Sequence, residues 1–318
     1  AWWERHGRGG IPWKQLPGGA RPAPEQDLDP YGIWIAEVML QQTQLAVALP
    51  YWTRWMEAFP SVESLAAASL DEVRLQWQGL GYYSRARRLH ATSRLLLVEL
   101  QRHQGDVNDL MRFGDWPRDP ETWLALPGIG RSTAGGILSS AFNSPLAILD
   151  GNVRRVLARL HACPQPPMRA QAQFWAWSEG LIDSVPGLSR DLNQALMDLG
   201  ATVCTPRNPS CEICPWDAQC AAYASGTPQQ YPVKEAPRDI PFQVIGVGVV
   251  LNAAGEVLID QRLNEGLLGG LWEFPGGKQE PDEVITDTIR RELREELGIE
   301  VSVDDNLITV DHAYSHKK

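Results

Sequence analysis

The sequence predicts two domains, an all-α domain followed by a smaller α+β domain, and three observations carry that expectation. Its 318 residues exceed what one hydrophobic core usually serves. The apolar period is helical from Tyr31 to Leu199 and gives way, after Pro241, to short runs rich in Val and Ile. Between the two patterns, residues 227–241 carry Pro228, Pro232, Pro237 and Pro241 and read as a linker. The domains are therefore placed at 1–226 and 242–318, with 227–241 joining them.

Each element has local grounds. Residues 21–30 read as a surface loop ahead of the first long apolar helix. Ser69 with Glu72 three residues on forms a capping box, and Gly105 closes a periodic run that starts near Tyr82. Residues 115–120 read as a second loop, with Pro120 in the first turn of the next helix. Leu126-Pro127-Gly128-Ile129-Gly130 is a turn between two helices, and Asp150 opens another. In the second domain, residues 244–251 and 257–262 are expected to form a hairpin through Asn252-Ala253-Ala254-Gly255. Residues 283–297 then read as a helix and residues 307–314 as a strand.

Composition excludes several classes. With 43% apolar and 21% charged residues, and no apolar run near the roughly 18 residues of a membrane span, no membrane association is expected. The chain begins at Ala1 rather than Met and shows no basic, apolar leader. Four of its five cysteines fall within residues 204–220, which suits metal ligation in a reducing cytoplasm better than a disulfide framework. The net charge of -10 argues at first against nucleic acid, but it is unevenly spread. Residues 1–230 hold 20 Lys and Arg against 22 Asp and Glu, and residues 231–318 hold 9 against 17. The first domain can therefore still focus arginines such as Arg85, Arg87 and Arg88 on one face.

Four clusters can carry chemistry. Cys204-x6-Cys211-x2-Cys214-x5-Cys220 brings four thiolates to one loop, suited to a 4Fe-4S cluster or to zinc, whereas isolated Cys163 reads as a small buried apolar residue. The turn at Gly128 and Gly130 can present free amides to a phosphate or can simply join two helices. Asp150, at the start of another helical pattern, reads by itself as an N-cap. Glu37, set in an apolar helix, is either a surface residue or a desolvated acid held protonated.

The cysteine spacing resembles that of helix-hairpin-helix glycosylases related to endonuclease III and MutY, which implies a 4Fe-4S cluster with a structural role. Residues 126–130 followed by Asp150 resemble the signature of the same superfamily, in which the Asp faces the anomeric carbon of a flipped nucleotide. Three further segments, Glu37-Val38-Met39-Leu40-Gln41-Gln42-Thr43, Gly79-Leu80-Gly81-Tyr82-Tyr83-Ser84-Arg85 and Asn193-Gln194-Ala195-Leu196-Met197-Asp198-Leu199-Gly200, look like MutY-type adenine DNA glycosylases. The likeness covers nearly all of residues 1–230. It implies that Glu37 protonates adenine at N7, that Asp150 faces the anomeric carbon and stabilises the sugar cation, that Asn152 is also catalytic, and that Gln42 and Tyr82 wedge into the duplex. It also implies that Gln194 reads the extruded base and that Leu126, Gly128, Gly130 and Ser132 contact DNA. The expected partner is double-stranded DNA with adenine opposite 8-oxoguanine. Endonuclease III attacks with a lysine just after its hairpin; here Arg131-Ser132-Thr133 offers none, so a monofunctional enzyme is expected and a glycosylase/lyase is the alternative. Residues 15–29 look longer than the family's usual connection.

In the second domain, Gly277-x5-Glu283-x7-Arg291-Glu292-Leu293-x-Glu295-Glu296-x-Gly298-Ile299 fits the Nudix box. Glu292, Glu295 and Glu296 share one helix face, either simply solvated or, as the resemblance implies, binding Mg2+ together with Gly276. The segment is similar to the MutT-like domain of MutY proteins, and Tyr314, Ser315 and His316 look like its 8-oxoguanine-inspecting loop. An intact box also raises hydrolysis of oxidised nucleoside triphosphates as a further reading. The chain ends at Lys318; judged from the size of the domain it resembles and from ordinary element lengths, about 40 residues would be needed to complete the sheet, so a fragment is expected. A monomer from a bacterial cytoplasm, associated with the nucleoid, completes these expectations.

Overall fold

The computed structural model describes residues 2–102, 116–235, 242–263 and 268–311. The chain divides into two compact units, Ala1–Glu235 and Ala236–Lys318.

After the short α1 (Trp2–His6), the first unit is built on α2 (Pro30–Met39), which Asp29 caps by accepting the Tyr31 and Gly32 amides while Pro30 fills the first turn. Every residue of α2 except Glu37 is buried, so the helix is apolar on all sides and must be enclosed. α8 (Arg131–Phe142) packs along it, with Gly136 facing Glu37 of α2 and Gly135 facing the Ala147 carbonyl, where a Cβ would not fit. Around this pair, α3 (Leu45–Ala58), α4 (Val62–Ala67), α5 (Leu70–Trp77), α6 (Ser84–Arg102) and α7 (Pro120–Leu124) enclose one apolar cluster centred on Trp34, Trp55, Trp77 and Trp123. Each such indole, being less than 2% exposed, would cost about 3–5 kcal/mol on truncation to Ala. The capping box of Ser69 and Glu72 forms as expected, and Pro120 opens α7.

A second cluster lies among α9 (Gly151–Leu160), α10 (Gln171–Asp183) and α11 (Ser189–Thr202), with Cys163 buried in it. The long connection over residues 15–29 is tied down by Arg190 of α11, which donates to the carbonyls of Ala23, Gln26, Ser140 and Ala141. Residues 227–235 are part of this unit and not a free linker: Pro228 is buried, and Arg159 donates to the carbonyls of Pro228 and Tyr231. Composition marks prolines as breakers but does not show which carbonyls an arginine elsewhere will claim. The remainder of the expected linker, 236–241, lies outside the described residues, as does Gly105.

In the second unit, β1 (Ile245–Val247) pairs antiparallel with β4 (Gly276–Lys278), and β2 (Asp260–Gln261) with β3 (Trp272–Glu273). The expected hairpin is confined to its tip, where Leu251 bridges Val257; the body of its first run pairs with β4 instead. Gly246 and Gly248 explain that choice: an added Cβ would meet Ile289 or Leu293 of α13 (Ile285–Leu297) within 3.3 Å, so this is where the helix packs. α13 starts two residues later than the sequence suggests, because Glu283 is drawn off to accept from Thr288 and Arg291. Residues 307–311 form no strand, and the rest of that expected strand lies outside the described residues. They have no backbone partner among the described residues, and a strand exists only by pairing.

Candidate active site

α2 presents Glu37 to the start of α9, where Asp150 is the N-cap. One Asp150 oxygen accepts the Val153 amide at 2.7 Å and the other accepts Asn152 Nδ2 at 3.0 Å. Capping and chemistry therefore coexist: the hydrogen bonds that start α9 also fix the carboxylate's direction. Asn152 is held in turn by Arg155, whose Nη2 donates to its Oδ1 at 2.8 Å. Glu37 keeps a narrow solvent contact, yet protein surrounds it closely enough that desolvation dominates its titration. Burial first, then the Asp150 charge, push the Glu37 carboxyl up to about 7, against the Lys14 ammonium. Glu37 thus keeps its proton to near neutrality next to a second acidic side chain held by two donors, an arrangement that suits an acid and a cation stabiliser.

Sequence reasoning missed three contributors. Asp198 of α11, fully buried, accepts from Trp3, from the Arg8 backbone and side chain, and from Lys14 at 3.4 Å, and so fixes Lys14 near Glu37. Burial lowers the Lys14 ammonium to about 8, with Asp198 opposing. The second is Gly136, where an added Cβ would stand 2.7 Å from Glu37 Oε2. The third is Gly200, whose Cβ would strike Asn152 at 2.6 Å. The Gly135-Gly136 pair inside a helix was the available signal, since glycine there costs about 1 kcal/mol relative to alanine and so points to a close approach.

A separation of stability from activity follows. Gly136→Ala should fold, because the atom in the way is the far end of a flexible side chain, and should gain up to about 1 kcal/mol in helix propensity. It should also displace the Glu37 carboxyl and lower activity at least about tenfold, given how steeply rate follows the placing of reacting groups. Thermal melting alongside single-turnover kinetics checks this; full activity would show that Glu37 does not work from the observed position.

The predicted DNA-facing residues divide. Gly128 (φ 82) forms the turn between α7 and α8, and Gly130 caps α8 with no side-chain cap hydrogen bond to the first-turn amides among the described residues. Leu126 is buried in the core, so its side chain is packing and only the turn backbone can meet DNA. Ser132 faces inward, its Oγ accepting the Leu149 amide at 3.0 Å, which ties the hairpin to the segment carrying Asp150. Gln42 and Tyr82 are exposed, Tyr82 by 50%, and both hold a left-handed backbone (φ 58 and 47). Arg85 is turned inward at 5% exposure and does not join Arg87 and Arg88 in a surface patch. Gln194 is buried; its Nε2 donates to Ser140 Oγ at 3.0 Å, and its Oε1 has no partner among the described residues.

The four cysteines converge on one loop. Among the described residues no three Cys, His, Asp or Glu side chains frame a single-ion site. Yet the thiols are near enough that, after burial, Cys204 and Cys220 raise Cys211 and help raise Cys214. Four thiols close enough to feel one another are the donor set of a 4Fe-4S cluster. Arg159 supports the fit, its Nη1 donating to Cys204 Sγ at 3.3 Å, the contact a thiolate ligand accepts.

In the second unit Arg291 organises the box: it pairs with Glu283 at 2.9 Å and reaches Glu292 and Glu295 at 2.9 and 3.2 Å. An added Cβ on Gly277 would strike the Glu292 carboxyl at 2.1 Å, which is why glycine stands there. Gly276 lies in β4, and burial, then Glu292, Asp260 and Glu273, raise Glu296. Tyr314, Ser315 and His316 lie outside the described residues.

Residues 35–179 match the model of the HhH-GPD superfamily base excision DNA repair protein, residues 204–220 the iron-sulfur binding domain of endonuclease III, and residues 246–318 the NUDIX domain. Fold, acid pair and cysteine loop together define a helix-hairpin-helix base-excision protein with an iron-sulfur cluster. A thermostable thymine-DNA glycosylase superposes with a TM-score of 0.55 at 26% identity, covering 70% of this chain and 92% of that one. Human adenine DNA glycosylase is 37% identical over 93% of this chain and 59% of its own length, and that of Buchnera aphidicola subsp. Schizaphis graminum is 32% identical over 86% and 72%. The chain belongs to the adenine DNA glycosylase family. It spans about six-tenths of the length of the human and mouse relatives. Among the described residues no helix is long and apolar enough to cross a membrane.

Proposed function

We propose that the protein excises adenine paired with 8-oxoguanine from double-stranded DNA, as a monofunctional glycosylase that leaves an abasic site. The observation that carries this reading is a carboxyl raised to about 7 by burial and by the charge of Asp150. Adenine leaves poorly as an anion, so Glu37 gives its proton to N7 as the bond from C1′ to N9 breaks and the base departs neutral. Positive charge gathers on the sugar, where Asp150 stabilises it. Water then supplies the hydroxyl at C1′, and its proton restores Glu37. Gln194 suits base reading because its free buried Oε1 can accept the exocyclic amine of adenine, which relieves an unpaired acceptor. Gly128 and Gly130 would hold a phosphate through backbone amides, and Gln42 and Tyr82 would fill the space left by the extruded nucleotide. No lysine follows the hairpin, which favours plain hydrolysis over a Schiff base.

Cys204, Cys211, Cys214 and Cys220 would hold a 4Fe-4S cluster that stiffens the loop they share. Recognition of 8-oxoguanine is assigned to residues 314–316 on their resemblance to the inspecting loop. A second activity, Mg2+-dependent hydrolysis of oxidised nucleoside triphosphates, has one observation in favour: the crowding of Glu296 with Glu292, Asp260 and Glu273, which a divalent cation would relieve.

Duplexes carrying adenine opposite 8-oxoguanine, treated with protein and then with or without alkali, test the main reading. Strand breaks only after alkali are expected. Breaks without alkali, trapped by borohydride, would indicate a lyase, and no alkali-labile site at all would end the proposal. Release of pyrophosphate from 8-oxo-dGTP with magnesium, lost in Glu295→Gln, would establish the second activity.

A further inference from the structure

The guanidinium of Arg85 lies where three parts of the helical unit meet. Its Nη1 donates to the carbonyls of Val38, Met39 and Gln41 at 3.1, 2.9 and 2.6 Å and to Thr43 Oγ1 at 3.2 Å. Its Nη2 donates to the carbonyls of Leu80 and Gly81 at 3.2 and 3.1 Å. The group is 5% exposed and stacks near Trp77 and Tyr82, 5.0 and 5.5 Å from their ring centres. No carboxylate stands among these partners; apart from the Thr43 hydroxyl, the acceptors are carbonyls at the C-terminal end of α2 and in two loops. Helix C-termini leave such carbonyls unpaired and carry negative partial charge, so a cation is well placed there.

The two loops are those of the exposed residues Gln42 and Tyr82. Each holds its side chain outward on a left-handed backbone (φ 58 and 47), a conformation that a non-glycine residue keeps only when the surroundings fix it. One planar group bonded to both loops supplies that constraint, and it bonds in the same way to the end of the helix bearing Glu37.

We propose that Arg85 is a positioning residue for base extrusion, locking residues 41–43 and 79–82 to each other so that Gln42 and Tyr82 enter a duplex as one rigid pair of wedges. This rests on the duplex-binding reading above and extends it to how the wedges are aimed. Lysine cannot replace the function, because a single ammonium with three protons does not span acceptors on three segments.

Arg85→Lys is the test, with adenine in two contexts and a fluorescent analogue in a third. 2-Aminopurine placed opposite 8-oxoguanine brightens when it leaves the stack. At saturating protein the brightening should fall at least about fivefold in the variant, because wedge insertion offsets the cost of unstacking the base. The single-turnover rate should fall about 30-fold for a paired adenine but stay within about threefold for adenine in an unpaired bulge, which needs little extrusion. Equal losses in both contexts, or no loss in either, would overturn the assignment. If Arg85→Lys loses its helical circular dichroism, Thr43→Ala removes a side-chain acceptor of Nη1 and should show the same paired-over-bulged loss, at about threefold. Wild-type protein that brightens the analogue but excises no adenine would remove the catalytic reading and leave this one standing; absence of brightening in the wild type would remove this one.

Discussion

Glu37→Gln should abolish adenine excision, by about 100- to 10,000-fold, while duplex binding survives, because it removes the transferable proton and keeps the shape. The same substitution should stabilise the protein in alkali. The Glu37 carboxyl titrates at about 7 in the folded chain against 4.5 in the unfolded one, so between these values the native state keeps a proton that the unfolded state has released. The associated stability is fully present below about 4.5 and lost as pH rises through about 7. Above that, the wild type is less stable by about 3 kcal/mol than a chain without the ionisable group, from the difference between 4.5 and 7. Denaturant melts at pH 5 and 8.5 should therefore show the gain of Glu37→Gln growing with pH. Excision by the wild type should fall about tenfold per pH unit above 7, since only the protonated acid donates. A pH-independent rate from 6 to 9, or an active Glu37→Gln protein, would place the proton donor elsewhere.

Asp150→Asn separates the two roles of its residue. Asn caps a helix about as well as Asp, so the Val153 amide keeps its acceptor and stability should change by less than about 1 kcal/mol. The neutral amide, however, offers no charge to a sugar cation, and the rate should fall about 100- to 1,000-fold. Removing Asp150 also removes one of the influences that raise Glu37, so the alkaline limb of any residual activity should move to lower pH. Thermal melting with a pH–rate profile checks both parts. A loss of melting temperature matching the loss of rate would reduce Asp150 to a cap.

Residue type and spacing carried much of this protein. The capping box at Ser69, the helix start at Pro120, the burial of Cys163 and the family likeness of residues 204–220 were legible because each depends on neighbours within a few positions. The hairpin of the second unit was legible only at its tip for the same reason: Asn252 to Gly255 sets a turn locally, but which run joins β1 depends on where α13 finds room against Gly246 and Gly248. Arg85 was misjudged because a surface cation and a buried one have the same sequence neighbourhood.

An acid in an apolar helix, an aspartate at a helix start and four clustered thiols are properties of short segments, and residue order alone was enough to reveal them. Folding was needed to make Glu37 titrate near neutrality, to bring Gly136 against it and to hold Lys14 through Asp198. Those facts join residues 14, 37, 136, 150 and 198, and desolvation and charge act through space, where distance along the chain has no meaning.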